Sequence, residues 1–579
     1  MAKTPKIDVA KLVGNLKIDS KIAEDLARGA IAEPEKMAEA TQAMLKNASP
    51  LYWFSLQQRF AQEHLSLMAR MFVPTAGADT NASLSRAKPD PRFAAPEWEQ
   101  LPWFRWLRDT YLTNTKLTSE AIERANLDPA HRQQLEFYSR LTTEAWSPAN
   151  FPMTNPEAIK TAVETRGASV VAGLRQLGED MSKGYISLTD ESAFEIGRNI
   201  AATPGEVIFE NRAMQLIHYK PAGDTVHERP MLFVPPFVNK FYLMDLEPEN
   251  SFVKWTVEQG HQLFLVSFKN ATEAERDLTW DQYVTDGVIR AMEIVRDVTG
   301  QKDMNVLAFC TGGTLTTTAF APLIAQGRKS WVKSFTLIAA GLEFTDIGEI
   351  GVYMDSPFMR YRAQSLKDGG VMPARDISAA FASLKANDLV WGNVVNNYLK
   401  GKKHTPFGLL YWNSDPTSLP GPMFAWYLAH TYMGNKLIRP GAATVCGKAF
   451  DITAIDLPTY AMGAIEDHIV PWRGAYESAR HLGSDVRFCL GGGGHIAGTM
   501  NPASKNRRSY WVRDAGDLSI DADQWLADAA NRKGSWWNDW ASWLKPFLGK
   551  RIAAPKSLGS KGYTPIEPAP GRYVQDRSV

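Results

Sequence analysis

From about residue 200 onward, short apolar runs alternate with segments of helical periodicity, and this alternation limits the possible folds more than any other feature. Six runs have the character of buried strands: residues 231–237, 262–268, 304–310, 335–340, 459–465 and 486–492. Between two of them, residues 280–300 carry one apolar helical face, and Gly300 marks the helix end. Alternation of this kind predicts an α/β fold with a mostly parallel sheet that helices cover on both faces.

The rest of the chain divides around this predicted sheet. An aromatic-rich stretch at about 345–445 interrupts the alternation, and an insertion between late strands often forms a cap over a site. Residues 1–73 and 99–200 have helical patterns, and residues 74–98, rich in Pro, Ala and Ser, are interpreted as a linker or surface loop. We predict a mainly helical N-terminal domain before a catalytic domain at 201–579.

Composition excludes several classes of protein. The 64 Lys and Arg residues nearly balance 63 Asp and Glu residues, which argues against a strongly cationic nucleic-acid binder. Charges interrupt the N-terminal residues, and no run of about 18 apolar residues occurs, so neither a signal peptide nor a transmembrane segment is expected. The three cysteines form no CxxC pair or Cys/His cluster. We therefore expect a cytoplasmic protein without disulfides, a metal or an organic cofactor.

Cys310 lies where a predicted strand gives way to a helix, in the segment NVLAFCTGGT. A nucleophile elbow has this form, and small residues must flank the nucleophile because the strand and helix backbones approach closely. Gly312 satisfies this requirement, whereas Ala308 adds a methyl group where clearance is least. The helix N-terminus that follows favours the thiolate, so Cys310 is the predicted nucleophile. The alternative is a buried structural cysteine, which is our interpretation of Cys446 and Cys489.

Two residues after later strands complete a possible catalytic triad. Asp467 follows the run 459–465, and His495 follows the next run after four glycines that would let the loop aim the imidazole. The order nucleophile, acid, histidine is that of α/β-hydrolases. We expect His495 to take the proton from Cys310 and Asp467 to orient the imidazole. The rivals for these roles are Glu466, His468 and Asp456.

The oxyanion hole is predicted at the end of the first of the six strands. Pro235 and Pro236 have no N–H group, so the donor must follow them, at Phe237 or Val238. The N–H group of Thr311, next to the nucleophile, would be the second donor. The alternative for the two prolines is a rigid strand exit, and both can hold at once.

Several long segments resemble poly(3-hydroxyalkanoate) synthases, which make bacterial storage polyester. The resemblance covers most of the chain and includes residues 90–98, 194–211, 235–246, 305–314, 386–401, 409–423, 494–502 and 566–574. It is greatest to the class that needs no second catalytic subunit and prefers short-chain monomers. It implies Cys310, Asp467 and His495 as the triad, although the family usually has Gly at position 308. It also implies a helical N-terminal part, a mobile cap, a homodimer and attachment to polyester granules in the cytoplasm.

The resemblance implies that the chain polymerises (R)-3-hydroxyacyl-coenzyme A, with 3-hydroxybutyryl-coenzyme A as the expected monomer. Water competes with the monomer hydroxyl, so the site must be dry, and we predict that Trp391 and Trp412 line an apolar cap. The alternative is a cap core that never meets substrate. Two other functions stay open: a coenzyme A thioesterase of the same fold, and a non-catalytic granule-surface protein.

Overall fold

A computed structural model describes residues 40–44, 50–72, 90–354, 356–514 and 518–577. An eleven-stranded sheet lies at its centre, in the order β10-β9-β8-β7-β6-β5-β3-β4-β2-β1-β11. The strands are β1 Gly205–Glu210, β2 Met214–Tyr219, β3 Met231–Val234, β4 Leu263–Phe268, β5 Met304–Phe309, β6 Val332–Ile338, β7 Thr459–Ala464, β8 Val486–Gly491, β9 Ser509–Val512, β10 Ala530–Lys533 and β11 Glu567–Pro568.

The six neighbouring strands from β4 to β8 are parallel to one another. They coincide with the six apolar runs, and almost every residue in them is buried. Because helices cover both faces of a parallel sheet, its strands are apolar on both sides rather than alternating. The predicted α/β-hydrolase-like, mostly parallel sheet is confirmed.

Five strands that the sequence analysis did not predict extend the sheet at both edges, and all of them pair antiparallel. Strands β2, β1 and β11 continue from β4, and strands β9 and β10 continue from β8. Three small two-stranded sheets lie outside the central sheet. They pair Thr225–His227 with Arg551–Ala553, Val371–Met372 with Leu419–Pro420, and Thr444–Val445 with Lys448–Ala449.

Helices pack on both faces of the sheet. The predicted helix at 280–300 is continuous, with a π-helical middle, and comprises Trp280–Gln282, Tyr283–Ile289 and Arg290–Thr299. Gly300 ends it with φ of 68°, a left-handed conformation that suits glycine. The other α-helices of this domain outside the cap are Phe252–Glu258, Thr311–Ala325, Trp472–Arg480, His495–Thr499, Ala522–Asp528, Trp536–Leu544 and Arg572–Gln575.

The predicted cap, the insertion at about 345–445, lies between β6 and β7. Its α-helices are Gly351–Met354, Pro357–Leu366, Ala374–Leu384, Gly408–Asn413 and Gly421–His430. Two π-helical turns, Asn387–Trp391 and Val394–Leu399, interrupt them. The cap is therefore irregular compared with the helices that flank the sheet.

The N-terminal part is helical in the described residues. Its α-helices are Pro50–Phe72, Glu97–Gln100, Pro102–Arg124, Pro129–Ala145, Pro156–Glu164 and Ala168–Lys183. Much of the stretches 1–73 and 74–98 lies outside the described residues, but Phe93 and Trp98, at the end of the second, are buried. Among the helices of the described ranges, none has the length and apolar character needed to cross a membrane.

Candidate active site

Cys310 occupies a strained turn between β5 and the helix Thr311–Ala325. Its φ of 50° and ψ of −125° lie in a region that residues other than glycine rarely adopt. The turn is held in place because the Cys310 N–H group donates to the carbonyl oxygen of Ile338 at 2.8 Å. This is the geometry of a nucleophile elbow, with a buried sulfur at the carboxyl edge of the parallel sheet.

The glycine after the nucleophile is needed for clearance. A Cβ atom on Gly312 would lie 2.3 Å from the carbonyl oxygen of Pro235, so only glycine fits between the helix and the end of β3. Ala308, two residues before Cys310, is fully buried in β5 and pairs in register with Val234 and Leu337. The Ala308 methyl group is accommodated in a regular strand, so the close approach is on the helix side of the elbow.

His495 and Asp467 lie in contact, next to the ends of β8 and β7. The Nδ1 atom of His495 lies 2.6 Å from Oδ2 of Asp467, and both side chains are buried. The other carboxylate oxygen of Asp467 accepts the N–H groups of Ile469 and Val470, each at 2.9 Å. Because its own loop anchors the carboxylate, Asp467 can hold the imidazole in one orientation.

The electrostatic environment favours a charged imidazole. Burial by itself would lower the pKa of His495, but the nearby Asp467 carboxylate and Cys310 sulfur together raise that pKa well above its usual value. The ring of Phe309 stacks on that of His495, with 5.5 Å between the centroids. A histidine held between a sulfur and a carboxylate can take the thiol proton and stay charged while the thiolate reacts.

A cavity of about 1550 Å³ surrounds Cys310 and His495. Its walls come from the catalytic domain, the cap and the N-terminal domain, and most of its lining side chains are apolar or aromatic. The N-terminal domain contributes Tyr138, Leu141, Tyr185, Ile186 and Leu188. This contribution cannot be predicted from the sequence, because no periodicity in the helical region signals which residues reach a site on another domain.

Comparison with known proteins assigns the chain to a family. The family described as "Poly-beta-hydroxybutyrate polymerase (PhaC) N-terminus" matches residues 89–256, and the "alpha/beta hydrolase fold" family matches residues 246–499. The "Poly(3-hydroxyalkanoate) polymerase subunit PhaC" of Cupriavidus necator is 44% identical over 535 residues, covering 92% of this chain and 89% of the relative. The chain belongs to the poly(3-hydroxyalkanoate) polymerase family.

More distant polymerases match over a similar length. The polymerase subunit of Rhizobium meliloti is 34% identical over 582 residues, which cover 96% of this chain and 94% of that protein. "Poly(3-hydroxyalkanoate) polymerase 1" of Ectopseudomonas oleovorans is 34% identical over 498 residues, 86% of this chain and 88% of the relative. Membership of the polymerase family makes the chain an enzyme of the acyltransferase class.

In this family member the three rivals of Asp467 and His495 have surroundings that differ from those of the pair. Glu466 is exposed, and Asp456 pairs with Lys329 at 2.6 Å on the surface. His468 lines the cavity, and burial lowers its pKa. Cys446 and Cys489 lie outside the cavity lining, and burial raises the pKa of both thiols, that of Cys446 to about 12.

The glycines before His495 serve close packing more than freedom of movement. Of the four, Gly493 has a positive φ, 116°, while Gly491 belongs to β8. A Cβ atom on Gly492 would lie 2.8 Å from the carbonyl oxygen of Ser509 in β9. The glycine loop is therefore packed closely against its neighbours. This packing fixes the backbone position from which the His495 imidazole extends.

The candidate oxyanion donors are not equivalent. The Phe237 N–H group donates to Oγ1 of Thr311 at 3.2 Å, so it is already engaged. Val238 and Thr311 both line the cavity, and the Val238 carbonyl accepts the N–H of Thr417 at 3.2 Å. Val238 is the better placed candidate on this loop of the polymerase.

The two candidate cap tryptophans also differ. Trp412 is buried, lines the cavity, and donates its indole N–H to the carbonyl oxygen of Lys240 at 2.8 Å. Trp391 is partly buried and lies outside the lining, although Leu389 and Val390 of the same π-helical turn belong to it. Within the residues that the structure describes, no group of His, Cys, Asp and Glu could hold a metal ion.

Proposed function

We propose that the chain polymerises (R)-3-hydroxyacyl-coenzyme A, with 3-hydroxybutyryl-coenzyme A as the monomer, into polyhydroxyalkanoate with release of coenzyme A. One observation carries the proposal. The buried sulfur of Cys310 sits at an elbow inside an apolar cavity, beside an imidazole that is hydrogen-bonded to Asp467. The names of the relatives, poly(3-hydroxyalkanoate) polymerases, support the product.

The proposed reaction has two half-steps. His495 takes the thiol proton, the Cys310 thiolate attacks the thioester carbonyl, and coenzyme A leaves with the proton from His495. In the second half-step His495 takes the proton of a hydroxyl group, and the hydroxyl oxygen attacks the acyl-cysteine carbonyl. The ester bond forms as the C–S bond to Cys310 breaks, and the departing thiolate takes the proton back from His495. The N–H groups of Val238 and Thr311 are proposed to bind the oxyanion formed in both half-steps.

A cysteine nucleophile suits a polymerisation. Transfer from coenzyme A to Cys310 exchanges one thioester for another, so the acyl group stays activated until a hydroxyl group attacks it. The attack converts a thioester into an oxoester, which is downhill. Water would divert the same intermediate to free acid, and the apolar lining of the cavity supports a role in excluding it.

Product analysis tests the proposal against its alternatives. The purified chain is given 3-hydroxyacyl-coenzyme A thioesters of several chain lengths, and free thiol, insoluble polyester and soluble hydroxy acid are measured together. The proposal expects thiol release matched by polyester. Soluble acid as the main product would support the thioesterase, and no thiol release with any thioester would support the non-catalytic granule-surface protein.

We also propose that the enzyme acts in the cytoplasm as a homodimer attached to polyester granules. The N-terminal helices expose apolar side chains that such a surface could cover, including Val163, Val171 and Leu174. Light scattering of the purified chain tests the dimer, and sedimentation with polymer granules tests the attachment. A monomer that polymerises at the full rate would rule out the dimer as the active form.

A further inference from the structure

The last described residues of the chain, 572–577, lie against the active-site region, and we call them the C-terminal clasp. They comprise the short helix Arg572–Gln575 followed by Asp576 and Arg577. None of them takes part in the two proposed half-steps. They contact three separate parts of the molecule that meet around the cavity.

The first contact holds the loop that carries the candidate oxyanion donor. Lys240 is 3% exposed, and its ammonium group donates to the backbone carbonyls of Tyr573 at 3.3 Å and Asp576 at 2.6 Å. A buried ammonium group requires such acceptors, because its hydration is lost. The clasp therefore supplies the polar partners that keep Lys240, two residues after Val238, in place.

The second contact is with the cap itself. Asp415 is fully buried and accepts the hydroxyl of Tyr242 at 3.0 Å, while Nε of Arg577 lies 3.9 Å from its other oxygen. The Arg577 guanidinium also lies over the ring of Tyr411, 4.9 Å from the centroid. A third contact reaches the region before β1, where Arg577 lies 3.8 Å from the carboxylate of Glu191.

The loop and the cap segment next to the clasp are bonded directly to each other. The Trp412 indole donates to the Lys240 carbonyl, and the Thr417 N–H group donates to the Val238 carbonyl. Asn239 and Pro416 form an antiparallel bridge between these two bonds. A shift of either of these two segments would move the backbone at Val238, which lines the cavity.

We propose that the C-terminal clasp positions the oxyanion donor at Val238, and that Lys240 and Arg577 are positioning residues for acyl transfer. This inference rests on the proposed function, because it assumes that Cys310 forms tetrahedral intermediates. Neither residue touches the reacting atoms. Each acts through the paired segments 238–240 and 412–417.

A second arginine of the clasp provides a matched control. Arg572 pairs with Glu210 and Glu567 at the β1–β11 edge of the sheet, and half of its side chain is exposed. The Arg572→Ala substitution removes a guanidinium group from the same six-residue segment and leaves the charges around Asp415 unchanged. Arg577→Lys is the conservative variant, because it keeps the positive charge near Asp415 and Glu191.

The test measures two reactions of Cys310 in the full-length chain. Release of coenzyme A from 3-hydroxybutyryl-coenzyme A passes through an oxyanion, whereas alkylation of Cys310 by iodoacetamide does not. For Arg577→Ala we expect kcat for coenzyme A release to fall about tenfold or more, with KM and the alkylation rate within about twofold of wild type. Lys240→Met should act in the same direction, Arg577→Lys should recover most of the rate, and Arg572→Ala should match wild type.

Two results would overturn the inference. One is an Arg577→Ala variant with the wild-type kcat. The other is a parallel loss of kcat, alkylation rate and thermal unfolding temperature, which would indicate a structural role alone. Failure of the proposed function has a different signature, since the wild-type chain would then release no coenzyme A in a Cys310-dependent way, and the inference would fall with it.

Discussion

The strand-end loops and the cap wall meet at one cavity but are built in different ways. Cys310, Asp467 and His495 each come within a few residues of the end of a parallel strand, and close backbone packing at Gly312 and Gly492 holds two of these loops. The wall comes from helices of the cap and of the N-terminal domain, with two π-helical turns among them. The proposed reacting groups thus lie on closely packed strand-end loops, while the surface proposed to exclude water depends on packing between distant segments.

The largest effect is expected at the nucleophile. Cys310→Ala should lower coenzyme A release by roughly four orders of magnitude or more, because the proposed attacking sulfur is removed. The measurement is thiol release from 3-hydroxybutyryl-coenzyme A. Cys446→Ser, at a cysteine outside the cavity lining, is the control and should retain the wild-type rate. Equal loss in both variants would contradict the special role of the elbow.

The next largest effect is expected at the carboxylate that orients His495. Asp467→Asn should lower kcat by roughly three orders of magnitude, because an amide cannot hold the same tautomer or offset the imidazolium charge. Glu466→Gln, the exposed neighbour, is the control. A similar loss in both variants, or none in Asp467→Asn, would contradict the assignment of the acid.

The loss of stability caused by Asp467→Asn should also depend on pH. The pKa of His495 is raised in the folded chain by Asp467 and Cys310, despite burial. Its contribution to stability is therefore complete below the unfolded pKa of about 6.5 and is lost as pH rises through the folded pKa. Urea unfolding should show that Asp467→Asn lowers the free energy of unfolding most at about pH 6 and progressively less at higher pH. A cost that grows with pH would contradict the coupling.

Backbone clearance at the elbow should affect stability as well as rate. Gly312→Ala places a Cβ atom 2.3 Å from a backbone oxygen, and we expect a loss of about 2–3 kcal/mol in the free energy of unfolding, with slower acyl transfer. Gly178→Ala is the control, because a Cβ atom there meets nothing within 4 Å. It should be neutral or stabilising by up to about 1 kcal/mol. Similar costs at both sites would mean that the elbow is not tightly packed.

The smallest effect is expected in the wall. Trp412→Ala should raise the ratio of soluble hydroxy acid to polyester a few-fold, because water gains access to the acyl-enzyme. Trp391→Ala, at a tryptophan outside the lining, should leave the ratio unchanged. A shift with Trp391 and none with Trp412 would reverse our assignment of the water barrier.

The sequence predicts the parallel centre of the sheet well, because its strands are buried on both faces and form continuous apolar runs. It does not predict β2, where the buried Gln215 and His218 break the apolar pattern, or β10, whose residues are all exposed. Cys310, Asp467 and His495 could be found from the sequence because each lies at or shortly after the end of one of these apolar runs. Tyr185 in the cavity wall and Arg577 in the clasp could not, since only tertiary packing brings them there.

The most direct test of the account is the chemical state of Cys310 during turnover. The chain is mixed briefly with 3-hydroxybutyryl-coenzyme A, quenched in acid and digested, and the peptide containing Cys310 is examined by mass spectrometry. We predict one or more hydroxybutyryl units on that peptide, linked as a thioester that hydroxylamine removes. Continued release of coenzyme A with an unmodified Cys310, or with the acyl group on another residue, would contradict the account.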